Sequence, residues 1–120
     1  MKLISLEGLP ETGVSHNPEI RKRTMLARGD VPHLTNFSRS VLQPGQVASA
    51  HSHADMHEVF FVASGRGLIR VDGAAHRLAP GTCVAVEPGE RHEVTNDGPA
   101  PLVLLYFGIE GREKEKGRDE

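Results

Sequence analysis

The sequence predicts an all-β domain built from short antiparallel strands. Runs rich in β-branched and aromatic residues, such as residues 58–63 and 102–107, have the length and composition of strands. The 13 glycines and eight prolines punctuate the chain with frequent turn signals. The middle of the chain shows no helical amphipathy sustained over three turns. Roughly seven or eight strands at this spacing are typical of an antiparallel sandwich or a small barrel.

The domain organisation follows from the chain length and from where the strand pattern begins and ends. A chain of 120 residues suits one domain with a real core. We expect an N-terminal arm or edge strand over residues 1–33, the barrel over residues 34–107 and a flexible charged tail over residues 108–120. Within the barrel, Asp72-Gly73 predicts a two-residue hairpin turn.

Composition excludes several classes of partner and predicts a compartment. A formal net charge of −2 argues against a nucleic-acid or anionic-membrane binder. The longest apolar run, residues 102–107, is far shorter than the roughly 20 residues of a membrane-spanning helix. Glu7 and Pro10 come too early for a secretory signal peptide, and the lone Cys83 permits no intrachain disulfide. We therefore expect a cytoplasmic protein, with Cys83 packed in the core.

Residues 45–58 carry the densest cluster of metal-binding residue types. On a strand, alternate side chains share a face, so His51 and His53 are expected to point the same way. With Glu58 a short turn later, they predict the first half of a metal site. His57 adjoins Glu58 and should face away, either at the surface or behind a ligand. It would replace Glu58 only if the turn were one residue longer.

Two spaced motifs identify the family that the chain resembles. In the first motif, a glycine is followed after five residues by His-x-His, then by a glutamate and a second glycine. In the second, a glycine precedes Pro-x-Gly, a histidine and an asparagine. The matching residues are Gly45, His51, His53, Glu58 and Gly65, then Gly81, Gly89, His92 and Asn96. The chain departs from the pattern at Glu87, which stands where the motif has proline. With both motifs in register, the sequence resembles the cupin superfamily.

The resemblance implies both a barrel and a ligand set. The barrel would be a double-stranded β-helix, or jelly roll, over residues 34–107. His92, which alone would be taken for a surface residue, becomes the fourth ligand beside His51, His53 and Glu58. Residues 86–92, together with residues 21–23, are similar to those of small one-domain, manganese-binding bacterial cupins.

Three neutral imidazoles and one carboxylate favour a divalent transition metal. This donor set suits manganese, iron, nickel, copper or zinc, and suits calcium poorly. We expect manganese or iron. In a six-coordinate ion, four protein ligands leave positions open for substrate. The alternatives are a structural hydrogen-bond network and a closed structural metal site.

The ligand set predicts a small metal-dependent enzyme acting on a small oxygen-bearing substrate. Oxidation of the dioxygenase type is favoured by the resemblance, and an isomerase or hydrolase remains open. Glu58 or a metal-bound hydroxide is the expected proton carrier, while Phe60 and Val62 would form an apolar pocket wall. The alternative is a non-enzymatic module that binds a small molecule or a metal.

Strand alternation also predicts a partner. If Glu58 faces inward, then Val59, Phe61 and Ala63 form an outward apolar row that either the N-terminal arm or a second subunit would cover, which favours a homodimer. The basic residues 21–23 are interpreted as solvated surface, with an anion contact as the alternative. His16, His33 and His76 have no pattern around them and are expected to be ordinary surface histidines.

Overall fold

A computed structural model describes residues 1–111, which form ten strands and no helix. The strands are β1 Thr12–Val14, β2 Asn17–Ala27, β3 Leu34–Leu42, β4 Val47–His51, β5 Met56–Ser64, β6 Gly67–Val71, β7 Ala74–Leu78, β8 Cys83–Val86, β9 His92–Thr95 and β10 Leu102–Glu110. Within this part of the chain, no helix exists that could cross a bilayer.

The strands form two antiparallel sheets. The larger sheet has the order β1-β2-β3-β10-β5-β8, and the smaller has the order β4-β9-β6-β7. From β3 onward the chain crosses between the two sheets at every connection except the β6–β7 hairpin, so it closes as a jelly roll, and the predicted all-β barrel is confirmed. The hydrophobic core combines side chains from both sheets: Ile20, Leu42, Phe60, Val62, Leu102 and Leu104 from the larger, and Ile69, Leu78 and Val94 from the smaller.

The segment before residue 34 contributes two strands to the larger sheet. β1 is an edge strand, and β2 lies between β1 and β3. The strand signal in β2 is weak because Pro18 and a run of charged residues dilute it. Pairing on both sides overrides that composition, and Ile20 reaches the core with 1% exposure. The apolar stretch at residues 3–6, in contrast, forms no strand.

β10 extends past the predicted end of the barrel and occupies the middle of the larger sheet. It continues to Glu110, pairing with β3 on one side and β5 on the other. Gly108 lies opposite Glu58, where an added Cβ would overlap the Thr35 hydroxyl oxygen and lie 2.5 Å from the Met56 sulfur. This crowding explains a glycine inside a strand. Residues 112–120 of the predicted tail lie outside the described residues.

Two turns show why their residue types are needed. The predicted hairpin at Asp72-Gly73 joins β6 to β7, and both residues have positive φ, at 49° and 87°. Gly65 has φ of 84°, and a Cβ there would overlap the Pro101 carbonyl oxygen. Glycine alone satisfies both conditions at position 65.

Alternation along β5 divides its side chains between the core and the outer face. Phe60 and Val62 are buried, whereas Phe61 faces outward with 41% exposure. On the neighbouring edge strand β8, Val86 is buried and Cys83 is exposed. The prediction of a buried Cys83 was wrong, because Cys83 pairs with Phe61 and shares its outward face.

Candidate metal centre

The four predicted ligands converge from both sheets. His51 ends β4 and is the cross-strand partner of His92, the first residue of β9. Glu58 reaches the same point from β5 in the opposite sheet, and His53 reaches it from the connection after β4. One ligand atom from each residue can be chosen such that all four lie within 4.8 Å of one another. The barrel therefore assembles a cluster that the sequence splits between two motifs.

Glu58 lies at the centre of this cluster. Its Oε1 atom is 3.0 Å from Nε2 of His92, 3.5 Å from Nε2 of His53 and 4.0 Å from Nε2 of His51. The carboxylate is buried, so its neighbours are these imidazoles and not bulk water. All three histidines present the same ring nitrogen to the same oxygen.

Backbone carbonyls set the orientation of two of the rings. Nδ1–H of His51 donates to the Ser49 carbonyl at 2.9 Å, and Nδ1–H of His92 donates to the Glu90 carbonyl at 3.2 Å. A proton held on Nδ1 leaves Nε2 as the nitrogen available to a metal. Each carbonyl belongs to the residue two positions before its histidine, so the local chain itself fixes the ring.

The pKa values of His51 and His92 are shifted in opposite directions because the surroundings of the two rings differ. Burial lowers the pKa of His51, and the hydrogen bond to Ser49 does not offset it. Burial also acts to lower the pKa of His92, but hydrogen bonds to Glu58 and Glu90 outweigh it and the pKa is raised. The His92–Glu58 pair therefore holds a proton more tightly than an ordinary histidine does.

His53 supplies the observation that tests whether a metal fits. Its Nε2 atom is buried and has no hydrogen-bond partner in residues 1–111, although Glu58 is only 3.5 Å away. A buried polar atom left unpaired costs about 1–3 kcal/mol. An ion bound by Nε2 would satisfy it. Donors on opposite sides of one ion lie about 4 Å apart, so the observed spread is close to coordination distance and the residues fit a divalent metal.

The turn before His92 is tied to the first motif. The Gly89 N–H donates to the His53 carbonyl at 2.7 Å, which joins the two halves of the site. At the position where the motif has proline, the Glu87 N–H donates to the Glu90 carboxylate at 2.8 Å. Proline has no N–H to donate, so the departure from the motif adds a hydrogen bond that stabilises the same turn.

Asn96, the last motif residue, has a structural role. It is fully buried, and its amide nitrogen donates to the carbonyls of Leu42 and Ala100 at 2.8 and 2.9 Å. Its side-chain oxygen accepts from the Gly98 N–H at 2.9 Å. Asn96 thus joins β9 to β3 and to the turn before β10, away from the ligand cluster.

A cavity of about 650 Å³ opens onto the cluster. Phe60 lines it, as predicted for a pocket wall. Val62, one inward position further along β5, is fully buried in the hydrophobic core and does not line the cavity. Tyr106 lies beside Phe60, with ring centroids 5.8 Å apart. Burial raises the pKa of Tyr106 to about 12, so its hydroxyl remains a hydrogen-bond donor at neutral pH.

Sequence reasoning missed several residues of the cavity, among them Tyr106, Lys22 and His16. Tyr106 shares the inward face of β10 with Leu104, and alternation along β10 would have shown it. Lys22 shares the inward face of β2 in the same way. His16, expected to be an ordinary surface residue, stacks on His51 with ring centroids 4.0 Å apart. No local pattern indicates His16, because the contact depends on how the β1–β2 turn folds over the barrel.

The remaining histidines stay away from the cluster. His33, His57 and His76 are exposed, and none of them lines the cavity. His57 faces outward from β5, as alternation next to Glu58 predicts.

Comparison with solved structures places the fold among known barrels. The crystal structure of a predicted oxalate decarboxylase from Thermotoga maritima superposes with a TM-score of 0.85, covering 92% of this chain and 100% of that one. The two sequences are 20% identical, so this likeness concerns the fold.

Curated relatives and a family model extend the comparison to sequence. A glucose-6-phosphate isomerase from Thermococcus gammatolerans is 34% identical over 101 residues, 68% of this chain and 53% of that one. An oxalate-binding protein from Thermotoga maritima is 28% identical over 69 residues, 58% of this chain and 57% of that one. This chain thus spans little more than half the length of either relative. Residues 38–108 match the model of the cupin domain, and the chain therefore belongs to the cupin family.

Proposed function

We propose that this protein is a metal-dependent enzyme that acts on a small, oxygen-bearing substrate. The observation that carries the proposal is the position of the ligand cluster: His51, His53, Glu58 and His92 converge at the wall of a cavity of about 650 Å³. That volume is within the range of small-molecule sites. A purely structural metal would need no such cavity.

The four residues would hold a divalent transition metal, with manganese or iron favoured for this mixed nitrogen and oxygen set. Such an ion would supply Lewis-acid chemistry at a substrate oxygen. The chain's own residues would do the rest. Tyr106 would donate a hydrogen bond from the cavity wall, and Phe60 would exclude water beside the ligands. Glu58 is the proposed proton carrier, since it is the one carboxylate among the four ligands and is buried at the cavity wall.

Oxidation of the dioxygenase type is the reaction that we favour, and it requires dioxygen as the oxidant, with both oxygen atoms entering the product. Isomerisation is the second candidate, and the likeness to a glucose-6-phosphate isomerase favours it. An isomerase needs no oxidant, since a proton leaves the carbon beside a carbonyl and returns to the neighbouring carbon. A module that binds a small molecule without turnover is the third candidate, and the likeness to an oxalate-binding protein favours it.

Metal analysis followed by two assays separates these candidates. The protein is purified without a histidine tag, and its metal is identified by elemental analysis. Oxygen uptake is then measured with a panel of hydroxy acids, diketones and sugar phosphates, and the same mixtures are followed by NMR for isomerisation. Manganese or iron with oxygen uptake supports oxidation, whereas conversion without oxygen uptake supports isomerisation. Bound metal and ligand binding without any turnover would leave the binding module, and absence of stoichiometric metal would contradict all the metal-dependent proposals.

A further inference from the structure

The basic run at residues 21–23 is divided between the two faces of the larger sheet. Arg21 and Arg23 point outward, and their guanidinium groups lie 3.9 and 3.7 Å from the Glu11 carboxylate. Lys22 lies between them on β2, and alternation turns it inward, where it lines the cavity. The solvated surface expected for this run therefore describes Arg21 and the outer end of Arg23, whose Nε is buried, and not the lysine.

Lys22 has polar neighbours on the inner face but no counter-ion. It is the cross-strand partner of Ser40, which is buried and also lines the cavity. In residues 1–111, Lys22 makes no hydrogen bond and no ion pair, in contrast to both arginines beside it. An ammonium on an interior wall is costly unless water or an anion solvates it. The cavity supplies room for either.

Lys22 and the ligand cluster lie at separate places on the same inner surface. The register runs from Lys22 to Ser40, then to Leu104 and to Val62, so three strand spacings separate β2 from β5. Glu58 lies four residues before Val62 on β5, so Lys22 and Glu58 are separated by roughly 19 Å measured along the sheet. The curvature of the barrel and the length of both side chains shorten the distance across the cavity. A bound molecule could therefore contact Lys22 with one end and the ligand cluster with the other.

The charge of the cavity depends on the metal. When the histidines are neutral, the charged residues that line the cavity are two cations and three anions. The cations are Lys22 and Arg28, and the anions are Asp55, Glu58 and Glu110. The lining is thus formally negative by one charge, and a divalent ion would make it positive by one charge. Arg28 is paired with Glu110 at 2.5 Å, which leaves Lys22 as the cation directed at a ligand.

We propose that Lys22 binds an anionic group of the substrate, a carboxylate or a phosphate, while oxygens at the substrate's other end meet the ligand cluster. The substrate class is thus a small polyoxygenated acid and not a neutral polyol or an apolar compound. This inference rests on the proposed metal-dependent function for the role of the cluster, but the contact at Lys22 can be tested with and without metal.

The first experiment measures anion preference in the Mn²⁺-loaded protein. Gluconate, glucose 6-phosphate and glucose are titrated by calorimetry, since they share a polyol chain and differ in having a carboxylate, a phosphate or no charge. We expect at least one of the anions to bind about tenfold more tightly than glucose, the effect of one charge-assisted contact. Which anion gains tells a carboxylate site from a phosphate site.

Three variants assign that preference to Lys22. Lys22→Met should bring the two anions to within about twofold of glucose, and Lys22→Arg should restore most of the preference. Arg21→Met is the matched control, since it removes a cation from the next residue on the outer face and should change nothing. Retained preference in Lys22→Met, or no preference in the wild type, would overturn the proposal.

The second experiment separates this inference from the metal proposal. Inorganic phosphate is titrated into the chelator-treated protein, and the amide resonances of Lys22 and Ser40 are followed by NMR. Shifts in the wild type that disappear in Lys22→Met support the anion site, even if Mn²⁺ fails to bind and the metal-dependent function is wrong. If Mn²⁺ binds and Lys22→Met changes neither the anion affinities nor the phosphate-induced shifts, then the anion site is wrong and the metal proposal stands.

Discussion

Nε2 of His92 lies 3.0 Å from Oε1 of Glu58, and the imidazole N–H donates a hydrogen bond to that carboxylate. The two partners come from opposite sheets and are 34 residues apart in the chain. Both are also candidate metal ligands, so a proton and a metal compete for the same nitrogen. This pair links the acid–base behaviour of the site to its loading with metal.

Metal affinity should therefore rise with pH through the raised pKa of His92. Below that pKa, Mn²⁺ must displace the proton shared with Glu58, and above it the proton has already left. Calorimetric titrations in buffers of different ionisation enthalpy should show proton release that declines as pH rises. A pH-independent affinity with no proton release would contradict the assignment of His92 as a ligand.

The metal-free protein should show the opposite dependence in the contribution of this pair to stability. Because the folded-state pKa of His92 is raised, its contribution is complete below the unfolded value of about 6.5 and is lost as pH rises through the folded value. Glu58→Gln should lower the pKa of His92 and reduce this dependence. The measurement is an NMR titration of the His92 ring protons combined with urea unfolding at several pH values. An unchanged His92 titration in Glu58→Gln would show that Glu58 does not hold the proton.

Removal of a ligand should abolish metal binding. His51→Ala and His92→Ala should each reduce Mn²⁺ in the purified protein from stoichiometric to trace levels in elemental analysis, because three remaining donors no longer enclose the ion. Chelator should lower the melting temperature of the wild type and leave that of His92→Ala unchanged. The matched control is His57→Ala, an exposed residue beside Glu58, which should keep full occupancy. Full Mn²⁺ occupancy in His92→Ala would contradict the assignment of His92 as a ligand.

Asn96 should matter for stability and not for metal binding. Asn96→Ala removes the partners of the Leu42 and Ala100 carbonyls and of the Gly98 N–H, and should cost about 2–4 kcal/mol of unfolding free energy. The control is Asn17→Ala. The Asn17 side-chain amide donates to the Val47 carbonyl in a less buried hydrogen bond, so its loss should cost less than half as much. Urea unfolding measures both, and metal content should stay stoichiometric. Loss of metal from folded Asn96→Ala would assign it a role at the site.

Replacement by alanine should destabilise the protein more at Gly65 than at Gly73, which has a similar φ but open space around it. Gly65 and Gly73 have similar positive φ, at 84° and 87°, but only Gly65 faces a backbone oxygen, that of Pro101. Gly73→Ala should therefore cost about 1–2 kcal/mol, the penalty for the backbone conformation. Gly65→Ala should cost clearly more, because the overlapping atom belongs to the main chain. Equal costs in urea unfolding would show that crowding at Gly65 is relieved without strain.

The outward row on β5 predicts a homodimer. Phe61 is 41% exposed and pairs with Leu105 on β10 and with Cys83 on β8, so apolar side chains continue across the outer face. Phe61→Lys should convert the dimer to a monomer in light scattering at micromolar concentration. Ala75→Lys, an exposed substitution on the smaller sheet, is the control and should leave the mass unchanged. A monomeric wild type would contradict the prediction.

Much of the fold could be predicted because it depends on local signals. Turn residues such as Asp72-Gly73 and alternation along β5 act over a few residues, and both appear as predicted. The expectation of an arm or edge strand over residues 1–33 did not specify β2, because its composition is poor for a strand and it is stabilised by pairing with β1 and β3 and by burial of Ile20. Cys83 was misplaced for a related reason, since an apolar strand does not reveal which of its faces meets the core.

The sequence by itself determined the two motifs, and with them the family and the identity of four candidate ligands. Their spacing could not show that His92 bonds to Glu58, that His16 stacks on His51 or that Lys22 shares the cavity. Those contacts depend on closure of two sheets around one interior, which brings together residues that are far apart along the chain. Only the tertiary structure decided them, because side-chain alternation assigns a face to each residue and says nothing of what lies opposite that face.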